Sequence, residues 1–141
     1  MKTKVINLKR RSDRLSKFKG TNQKFLPPIE VFEAIDGSEL NYEKLQRAGF
    51  DTDKNWRDPL LGRTLTWGEI ACFLSHYALW EECAGGDEPY LIFEDDVVCF
   101  DRIDTVEQDL AGQDLLYLAY SEQKLEGVQK LDERLIKPCY P

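Results

Sequence analysis

Four residues without a charge, Tyr90–Phe93, run directly into three consecutive acids, Glu94, Asp95 and Asp96. A segment that is apolar at every position has no solvent face, which predicts a strand of a parallel sheet covered by helices on both sides. Three adjacent carboxylates repel one another unless a cation lies among them. Ligands of open α/β sheets bind outside the carboxyl ends of the strands, where these acids are expected. The pattern favours an α/β fold with a cation site at the end of this strand.

From the residues alone, two interpretations of the acidic triplet stay open. Carboxylate oxygens are the ligands that Mg²⁺ and Mn²⁺ prefer, whereas zinc prefers sulfur and nitrogen. Side chains alternate along a strand, which predicts Glu94 and Asp96 on one side and Asp95 on the other. A pair of these carboxylates is therefore expected to face the ion. The alternative is a solvated acidic turn.

Strand and helix signals alternate along the rest of the chain. Further strands are predicted at Lys4–Leu8, Ile29–Ile35 and Leu115–Ala119. Helices are predicted from an N-cap at Ser12 to a stop at Gly20, from an N-cap at Asn41 to Ala48, from Trp67 to about Cys83, and over Asp104–Ala111. Residues 50–63 have the composition of a loop, and residues 124–141 are ambiguous. This order predicts a mostly parallel sheet flanked by helices.

The clearest helix start is a T-x-x-E capping box formed by Thr66 and Glu69. The pair of glycines at Gly85 and Gly86 is expected to end that helix. Its apolar positions predict a buried face that consists of Ile70, Phe73, Leu74, Tyr77 and Trp80.

Length and composition are those of one folded domain over residues 1–141, since 42% of the residues are hydrophobic and 32% are charged. The longest apolar run, Leu115–Tyr120, is far shorter than a membrane span of roughly 18 residues. The amino terminus does not resemble a signal peptide. We therefore expect a cytoplasmic protein without a transmembrane segment.

Charge is unevenly distributed. Residues 1–24 contain nine Lys and Arg against one acid, whereas residues 25–141 contain ten against twenty-five. An acidic body argues against a nucleic-acid partner, which favours a basic domain. The basic start leaves room for a local anion site, with a solvated charged surface as the alternative.

Two short segments could contribute to such a site. Residues 7–14 combine a strand end, arginines that can grip anionic oxygens and the start of a helix. Asp36 and Gly37 follow the second strand, where the carboxylate could bind a sugar or ribose hydroxyl. The same dipeptide is also a common turn.

The cysteines and the single histidine give weaker signals. Cys72, Cys83, Cys99 and Cys139 form no C-x-x-C pair, which favours reduced, buried thiols over a zinc or disulfide framework. His76 lies on the predicted 67–83 helix two turns after Glu69, with Cys72 between them. A Glu/Cys/His metal site there lacks a fourth ligand, so a packed or hydrogen-bonded histidine is the favoured interpretation. The chain contains no P-loop, H-E-x-x-H, G-x-S-x-G or G-x-G-x-x-G motif.

Taken in order, four motifs resemble glycosyltransferase family 25, which includes bacterial lipooligosaccharide galactosyltransferases and collagen galactosyltransferase domains. The motifs are Val5-Ile6-Asn7-Leu8 with Arg11, Asp13 and Arg14; Phe32-Glu33-Ala34-Ile35-Asp36-Gly37; Leu65-Thr66 with Gly68-Glu69-Ile70-Ala71-Cys72 and Leu74-Ser75-His76; and Ile92-Phe93-Glu94-Asp95-Asp96-Val97. The resemblance spans roughly residues 4–120.

The resemblance implies a GT-A-like nucleotide-diphospho-sugar transferase fold. It also implies a UDP-sugar donor, most often UDP-galactose, a divalent cation (Mn²⁺ or Mg²⁺), and a glycan or lipooligosaccharide-type acceptor. Members of the family continue beyond the point that corresponds to Pro141, so the resemblance predicts a carboxyl-terminally truncated, donor-binding part of such a domain.

The family's functional positions carry over residue by residue. The resemblance places the metal on Glu94, Asp95 and Asp96, and it gives Asp96 and His76 catalytic roles. The residues implied for nucleotide-sugar binding are Asn7, Leu8, Arg11, Asp36, Gly37 and Ser75.

Three hypotheses follow for the function. The first is a metal-dependent glycosyltransferase that moves a hexose, galactose in most relatives, from a UDP-sugar to an acceptor hydroxyl. The second is a catalytically silent, truncated sugar-nucleotide-binding module. The third is an unrelated Mg²⁺ phosphotransfer protein, which would carry its acids near the first strand, where this chain has arginines.

Overall fold

Strand β1 (Lys2–Asn7) runs through the middle of a three-stranded parallel sheet, between β2 (Ile29–Glu33) and β3 (Tyr90–Glu94). This computed structural model describes residues 1–53, 55–59, 61–100, 102–103, 114–115 and 118, together with the backbone of 128–130 and 136–138. The chain forms two units, Met1–Arg102 and Ile103–Pro141. The sheet and all helices that the structure describes belong to the first.

The register of the sheet sets the three strand ends level with one another. Ile6 pairs with both Phe32 and Glu94, and Asn7 pairs with Glu33. Since all three strands are parallel, their carboxyl ends lie along one edge of the sheet. The predicted parallel α/β architecture is confirmed.

Two helices cover opposite faces of the sheet. Helix α1 (Ser12–Asn22) packs Phe18 against Phe93, with 6.0 Å between the ring centroids. Helix α3 (Trp67–Ala84) lies on the other face, where its Glu82 bonds Lys4 at 3.0 Å. Because both faces of β1 are covered, its residues Thr3–Asn7 are all buried. Among the described strands β1 is therefore the central one, and β3, the strand that the sequence predicted to be covered by helices on both sides, lies beside it.

One positively charged side chain is buried in this sheet. Lys4 is buried in β1, and its ammonium group bonds Glu30 at 2.8 Å as well as Glu82. The bond to Glu30 raises the pKa of Lys4, against the opposing effect of burial. Helix α3 and strand β2 are thus both tied to β1 by charge.

Helix α3 begins as its sequence predicts. Thr66 is the N-cap, and the capping box with Glu69 has both of its reciprocal bonds. The helix ends at Ala84, with Gly85 as the C-cap. Arg63 also binds Glu69, and this ion pair holds the pKa of the carboxyl well below its usual range.

The predicted buried face of α3 is only partly right. The residues that are buried are Ala71, Leu74, Ser75 and Leu79. Phe73 and Trp80 are exposed, and their rings contact each other edge to face, 6.2 Å apart. A small residue at the sheet face lets the helix approach closely, so the helix turns Ala71 and Ser75 inward and leaves the larger rings outside.

Helix α1 differs from its prediction at both ends. Its N-cap is Arg11, and Ser12 is the first helical residue; within the described part of the chain, no side chain caps this end. The helix continues through Gly20 to Asn22, because a glycine costs a helix only about 1 kcal/mol and Asn22 is fully buried at the next turn.

The segment between β2 and α3 contains a short 3₁₀ helix (Gly37–Glu39) and helix α2 (Tyr42–Arg47). Asn41 caps α2 by accepting a bond from the Lys44 amide, as predicted. Gly49 follows with φ 81°, a backbone conformation that favours glycine. The described part of residues 50–63 holds no strand or helix, which confirms the predicted loop.

In the second unit the structure describes one pair of strands. Strands β4 (Val128–Lys130) and β5 (Ile136–Pro138) pair antiparallel, in the stretch whose sequence is ambiguous. The predicted helix Asp104–Ala111 lies outside the described residues, and so does most of the predicted strand Leu115–Ala119.

Candidate functional site

The carboxyl edge of the sheet carries two polar features, one on each side of β1. We call Glu94, Asp95 and Asp96 the acidic turn, since they end β3 and begin the turn after it. The second feature is a cavity between the ends of β1 and β2, which we call the basic cavity after its three cationic side chains, although three acids line it as well. Its lining residues are Leu8, Lys9, Arg10, Glu33, Ala34, Ile35, Asp36, Glu39, Leu40 and Lys44.

Asp95 is the buried member of the acidic turn, with only 9% of its side chain exposed. One carboxylate oxygen accepts a bond of 2.6 Å from the Asn7 side chain, and the other binds Arg14 of α1. Asn7 also donates to the Arg11 carbonyl at 3.0 Å, which ties the end of β1 to the start of α1. Both carboxylate oxygens of Asp95 therefore have protein partners.

Asp96 lies beside Asp95 and is far more exposed. Its carboxylate binds Arg14 at 2.8 Å, while 65% of its side chain remains open to solvent. One guanidinium therefore bridges two adjacent acids, and its single positive charge offsets one of their two negative charges.

The predicted alternation along the acidic turn holds for two residues and fails at the third. Glu94 faces α3 and Asp95 faces α1, as strand geometry requires. Asp96 reaches Arg14 of α1 as well, because β3 ends at Glu94 and the next two residues form a turn. Asp95 and Asp96, not Glu94 and Asp96, share a partner.

Glu94 belongs to a second cluster, on the α3 side. One of its oxygens, Oε1, lies 3.4 Å from His76 Nε2 and 3.7 Å from Cys72 Sγ. The bond from His76 lowers the pKa of Glu94, against the effect of its partial burial. Burial, reinforced by the Glu94 charge, raises the pKa of the Cys72 thiol.

The pairing of Glu69 with Cys72 and His76 is not formed. Glu69 binds Thr66 and Arg63 at the start of the helix, and Glu94 takes its place beside the other two. Among the described His, Cys, Asp and Glu side chains, Cys72, His76 and Glu94 are the group whose ligand atoms lie within 4.8 Å of one another.

The predicted free thiols are present in the part of the chain that the structure describes. Cys72, Cys83 and Cys99 are free thiols that form no disulfide. Only Cys99 is buried, and the other two are half-buried. Cys139 lies outside the described residues.

The basic cavity has a volume of about 630 Å³ and brings two predicted donor-binding residues, Leu8 and Asp36, to one place. Arg10 binds Asp36 through two nitrogens, at 2.7 and 3.3 Å. That guanidinium, with further bonds from Ser38, holds the pKa of the Asp36 carboxyl well below its usual range. Lys9 is 82% exposed, and its nearest carboxylate is Glu33 at 3.7 Å.

Three other predicted binding residues have structural roles in this fold. A Cβ on Gly37 would lie 2.6 Å from the Trp67 carbonyl oxygen, so this position requires a glycine where the 3₁₀ helix meets α3. Ser75 is fully buried and accepts a bond of 3.0 Å from the Ile35 amide. Arg11 forms an exposed pair with Asp13 and lowers the pKa of that carboxyl to about 2.

Comparisons with known proteins settle the family. The model described as "Glycosyltransferase family 25 (LPS biosynthesis protein)" matches residues 1–138. The chain belongs to glycosyltransferase family 25. The resemblance drawn from the four motifs is confirmed, and the parallel sheet flanked by helices is consistent with a GT-A-like domain of this family.

The relatives of this family 25 chain include proteins named as transferases and proteins named as inactive. Human "Procollagen galactosyltransferase 2" is 33% identical over 135 residues, which cover 89% of this chain and 22% of the relative. Rat "Probable inactive glycosyltransferase 25 family member 3" is 39% identical over 123 residues, or 81% of this chain and 22% of the relative. Zebrafish (Danio rerio) "Procollagen galactosyltransferase 1" is 34% identical over 140 residues, or 93% and 23%. The chain thus spans about a fifth of the length of these curated relatives.

Sequence reasoning missed two residues that support the family 25 site. Arg14 was predicted, with the other arginines of residues 7–14, to bind an anionic ligand, yet in the structure it binds both aspartates of the acidic turn. Asn22 is fully buried; it donates to the Val97 carbonyl and accepts from the Cys99 amide, at 2.9 and 2.8 Å. It thereby fixes the segment that follows the acids. Asn22 lies near the predicted end of a helix, where a polar residue is common, so the sequence did not indicate its contacts with residues 97 and 99.

The described helices also bear on membrane insertion. None in the described part of the chain is both long and apolar enough to cross a bilayer.

Proposed function

We propose that this family 25 chain contributes the donor-binding part of a metal-dependent glycosyltransferase that moves galactose from UDP-galactose to a hydroxyl of a glycan acceptor. The observation that carries the proposal is the position of the acidic turn and the basic cavity on the same sheet edge, one on each side of β1. A nucleotide-sugar needs both, because its diphosphate is anionic and its cation needs carboxylates.

Two residues of the acidic turn offer carboxylates to a hard divalent cation, Asp96 from the α1 side and Glu94 from the α3 side. Asp96 and Glu94 present exposed carboxylates, with 65% and 49% of their side chains open to solvent. Asp95 does not fit as a ligand, since Asn7 and Arg14 already occupy its oxygens. Oxygen donors of this kind suit Mn²⁺ or Mg²⁺. A cation bound there supplies charge neutralisation on the diphosphate and on the departing UDP.

Residues around the acidic turn position these two carboxylates. Arg14 holds Asp95 and Asp96 side by side, and Asn7 fixes Asp95 to the end of β1. His76 orients Glu94 and favours its ionised form. This arrangement keeps three adjacent acids in place before a ligand arrives, which lowers the cost of assembling the site.

The basic cavity is the proposed place of the nucleotide. Lys9, Arg10 and Lys44 line it alongside three acids, and cations of this kind bind phosphate oxygens when a ligand displaces their present partners. Asp36 holds the Arg10 guanidinium in a fixed orientation. The cavity contributes binding and the acidic turn contributes the reacting end, so the anomeric carbon of the donor would lie towards β3.

Turnover of the donor tests this proposal. The 141-residue chain is incubated with UDP-galactose and Mn²⁺, and the release of UDP and galactose is measured. We expect release that Asp96→Ala abolishes and that Asp87→Ala retains, because Asp87 is an exposed acid in the turn before β3. Absence of both release and donor binding would overturn the proposal.

A catalytically silent donor-binding module is the second candidate. It is favoured by relatives whose names call them inactive. Binding of UDP-galactose without any release of UDP, even with acceptor sugars present, would select it over the transferase.

A further inference from the structure

The side of Glu94 that faces α3 carries a donor set unlike that of the acidic turn. Cys72 and His76 are four residues apart on α3, so their side chains lie one above the other on the same helix face. Glu94 approaches that face from the end of β3. A sulfur, an imidazole nitrogen and a carboxylate oxygen thus come from two rigid elements, and their ligand atoms all lie within 4.8 Å of one another.

Two of the three distances between these atoms are close to the edges of a tetrahedral zinc site, and the third is within 4.8 Å. Zinc binds sulfur at about 2.3 Å and nitrogen or oxygen at about 2.0 Å, which places tetrahedral ligand atoms roughly 3.3–3.5 Å apart. In the structure His76 Nε2 lies 3.4 Å from Glu94 Oε1, and Cys72 Sγ lies 3.7 Å from the same oxygen. Small side-chain adjustments would therefore bring all three atoms to bonding distance of one ion.

Both contacts converge on a single oxygen of Glu94. The thiol and the imidazole both approach this one carboxylate oxygen. A single cation could therefore replace the hydrogens that they share with it. The side chains are also accessible, with Cys72 half-buried and His76 25% exposed. An ion can therefore enter, and a water can complete the coordination.

We propose that Cys72, His76 and Glu94 form a Zn²⁺ site, with a water molecule as the fourth ligand and the Cys72 thiol proton passing to solvent on binding. The thiolate and the imidazole select Zn²⁺ over Mn²⁺, which prefers oxygen donors. Glu94 belongs to this site and to the acidic turn, so the two cations are alternatives at that one residue. The site stands whether or not the chain turns over UDP-galactose.

Cobalt substitution tests the site without any activity measurement. Co²⁺ is added to the full chain under reducing conditions, and its absorption spectrum is recorded. We expect one equivalent to produce a thiolate-to-cobalt charge-transfer band together with the visible bands of tetrahedral cobalt. One equivalent of Zn²⁺ should remove these bands, whereas the same amount of Mn²⁺ should leave them, following the order of affinities of these ions.

Matched variants identify the ligands. Cys72→Ser should lose the charge-transfer band, and Cys83→Ser should keep it, since Cys83 lies near the end of the same helix and contacts the Glu88 carbonyl. His76→Gln and Glu94→Gln should each weaken Zn²⁺ binding by about tenfold or more. Circular dichroism of each variant confirms that it folds.

Two results would overturn the proposal: a wild-type chain that gives no charge-transfer band with Co²⁺, or a band that Cys72→Ser retains and Cys83→Ser loses. Calorimetry with UDP-galactose and Mn²⁺ on the zinc-free chain addresses the proposed transferase separately, so failure of one does not imply failure of the other.

Discussion

At the acidic turn one paired carboxylate, Asp95, is nearly buried, whereas the charged pairs of the basic cavity lie largely in solvent. Arg14 binds Asp95 and Asp96, and His76 binds Glu94. Across β1, Lys9 is 82% exposed and reaches Glu33 only at 3.7 Å. Asp95 ties the first region into the fold, whereas no described charged pair of the second region is comparably buried. Substitutions at the turn should therefore change stability, and substitutions at the cavity should mainly change its charge and its affinity for ligands.

The strongest way to break the acidic turn is Arg14→Gln. It leaves Asp95, which is 9% exposed, without a charge partner, and we expect the free energy of unfolding to fall by about 2–3 kcal/mol. This is less than for a fully buried pair, because one third of Arg14 is exposed. Urea denaturation measures the change.

The matched control is Arg11→Gln, which removes an exposed pair with Asp13 and should cost less than about 0.5 kcal/mol. Adding Asp95→Asn to Arg14→Gln should recover part of the loss. Equal losses for the two arginines would show that the turn is not held by Arg14.

The segment after the acids depends on Asn22. Asn22→Ala removes both its bond to the Val97 carbonyl and its bond from the Cys99 amide, and we expect a loss of about 2 kcal/mol in unfolding free energy. The neighbouring exposed residue provides the control, since Gln23→Ala should stay within about 0.5 kcal/mol of wild type. Thermal and urea unfolding measure the stability of both variants. Equal losses for Asn22→Ala and Gln23→Ala would contradict the structural role of Asn22.

On the cavity side, Gly37→Ala tests the close approach of the 3₁₀ helix to α3. The new Cβ would meet the Trp67 carbonyl oxygen at 2.6 Å, so the backbone must shift, at a cost of roughly 1–3 kcal/mol. Gly20→Ala is the counterpart inside α1, where nothing lies within 4 Å of the new Cβ. That change should stabilise the chain by up to about 1 kcal/mol, and opposite signs for the two variants are the expected result.

The smallest expected effect is on the titration of Asp36. Arg10 and Ser38 hold its pKa below the ordinary value, so this carboxylate stabilises the folded state above pH 4, and the contribution is lost as the pH falls towards the folded-state pKa. Arg10→Ala should raise the pKa of Asp36 towards its usual range, as measured by NMR of the carboxyl carbon.

Arg11→Ala is the control for this titration. It should raise the pKa of Asp13 from about 2 and leave that of Asp36 unchanged. A pKa of Asp36 that stays low without Arg10 would assign the effect to Ser38 instead.

The sequence predicted well what local chemistry decides. The capping box at Thr66, the N-cap at Asn41 and the parallel strands at 4–8, 29–35 and 90–93 are within a few residues of the observed elements. Each depends on residues close together in the chain, where a short pattern carries enough information.

What the sequence did not predict depends on contacts across the fold. Asn22 gave no local signal, because its partners at 97 and 99 lie more than seventy residues away. The partner of Cys72 and His76 was sought at Glu69, on the same helix, whereas the strand that ends at Glu94 supplies it. Asp96 departs from strand alternation because β3 ends before it, and a pattern of apolar residues does not fix the last residue of a strand.

The central claim is that the acidic turn and the basic cavity bind one ligand together. Calorimetric titration of UDP into the 141-residue chain, with and without Mn²⁺, tests it most directly. We expect saturable binding with Mn²⁺ that weakens roughly tenfold or more when Mn²⁺ is omitted or when Asp96 is changed to Asn, and that Asp87→Asn leaves intact. Equal affinity for UDP in all four titrations, or no binding in any, would contradict it.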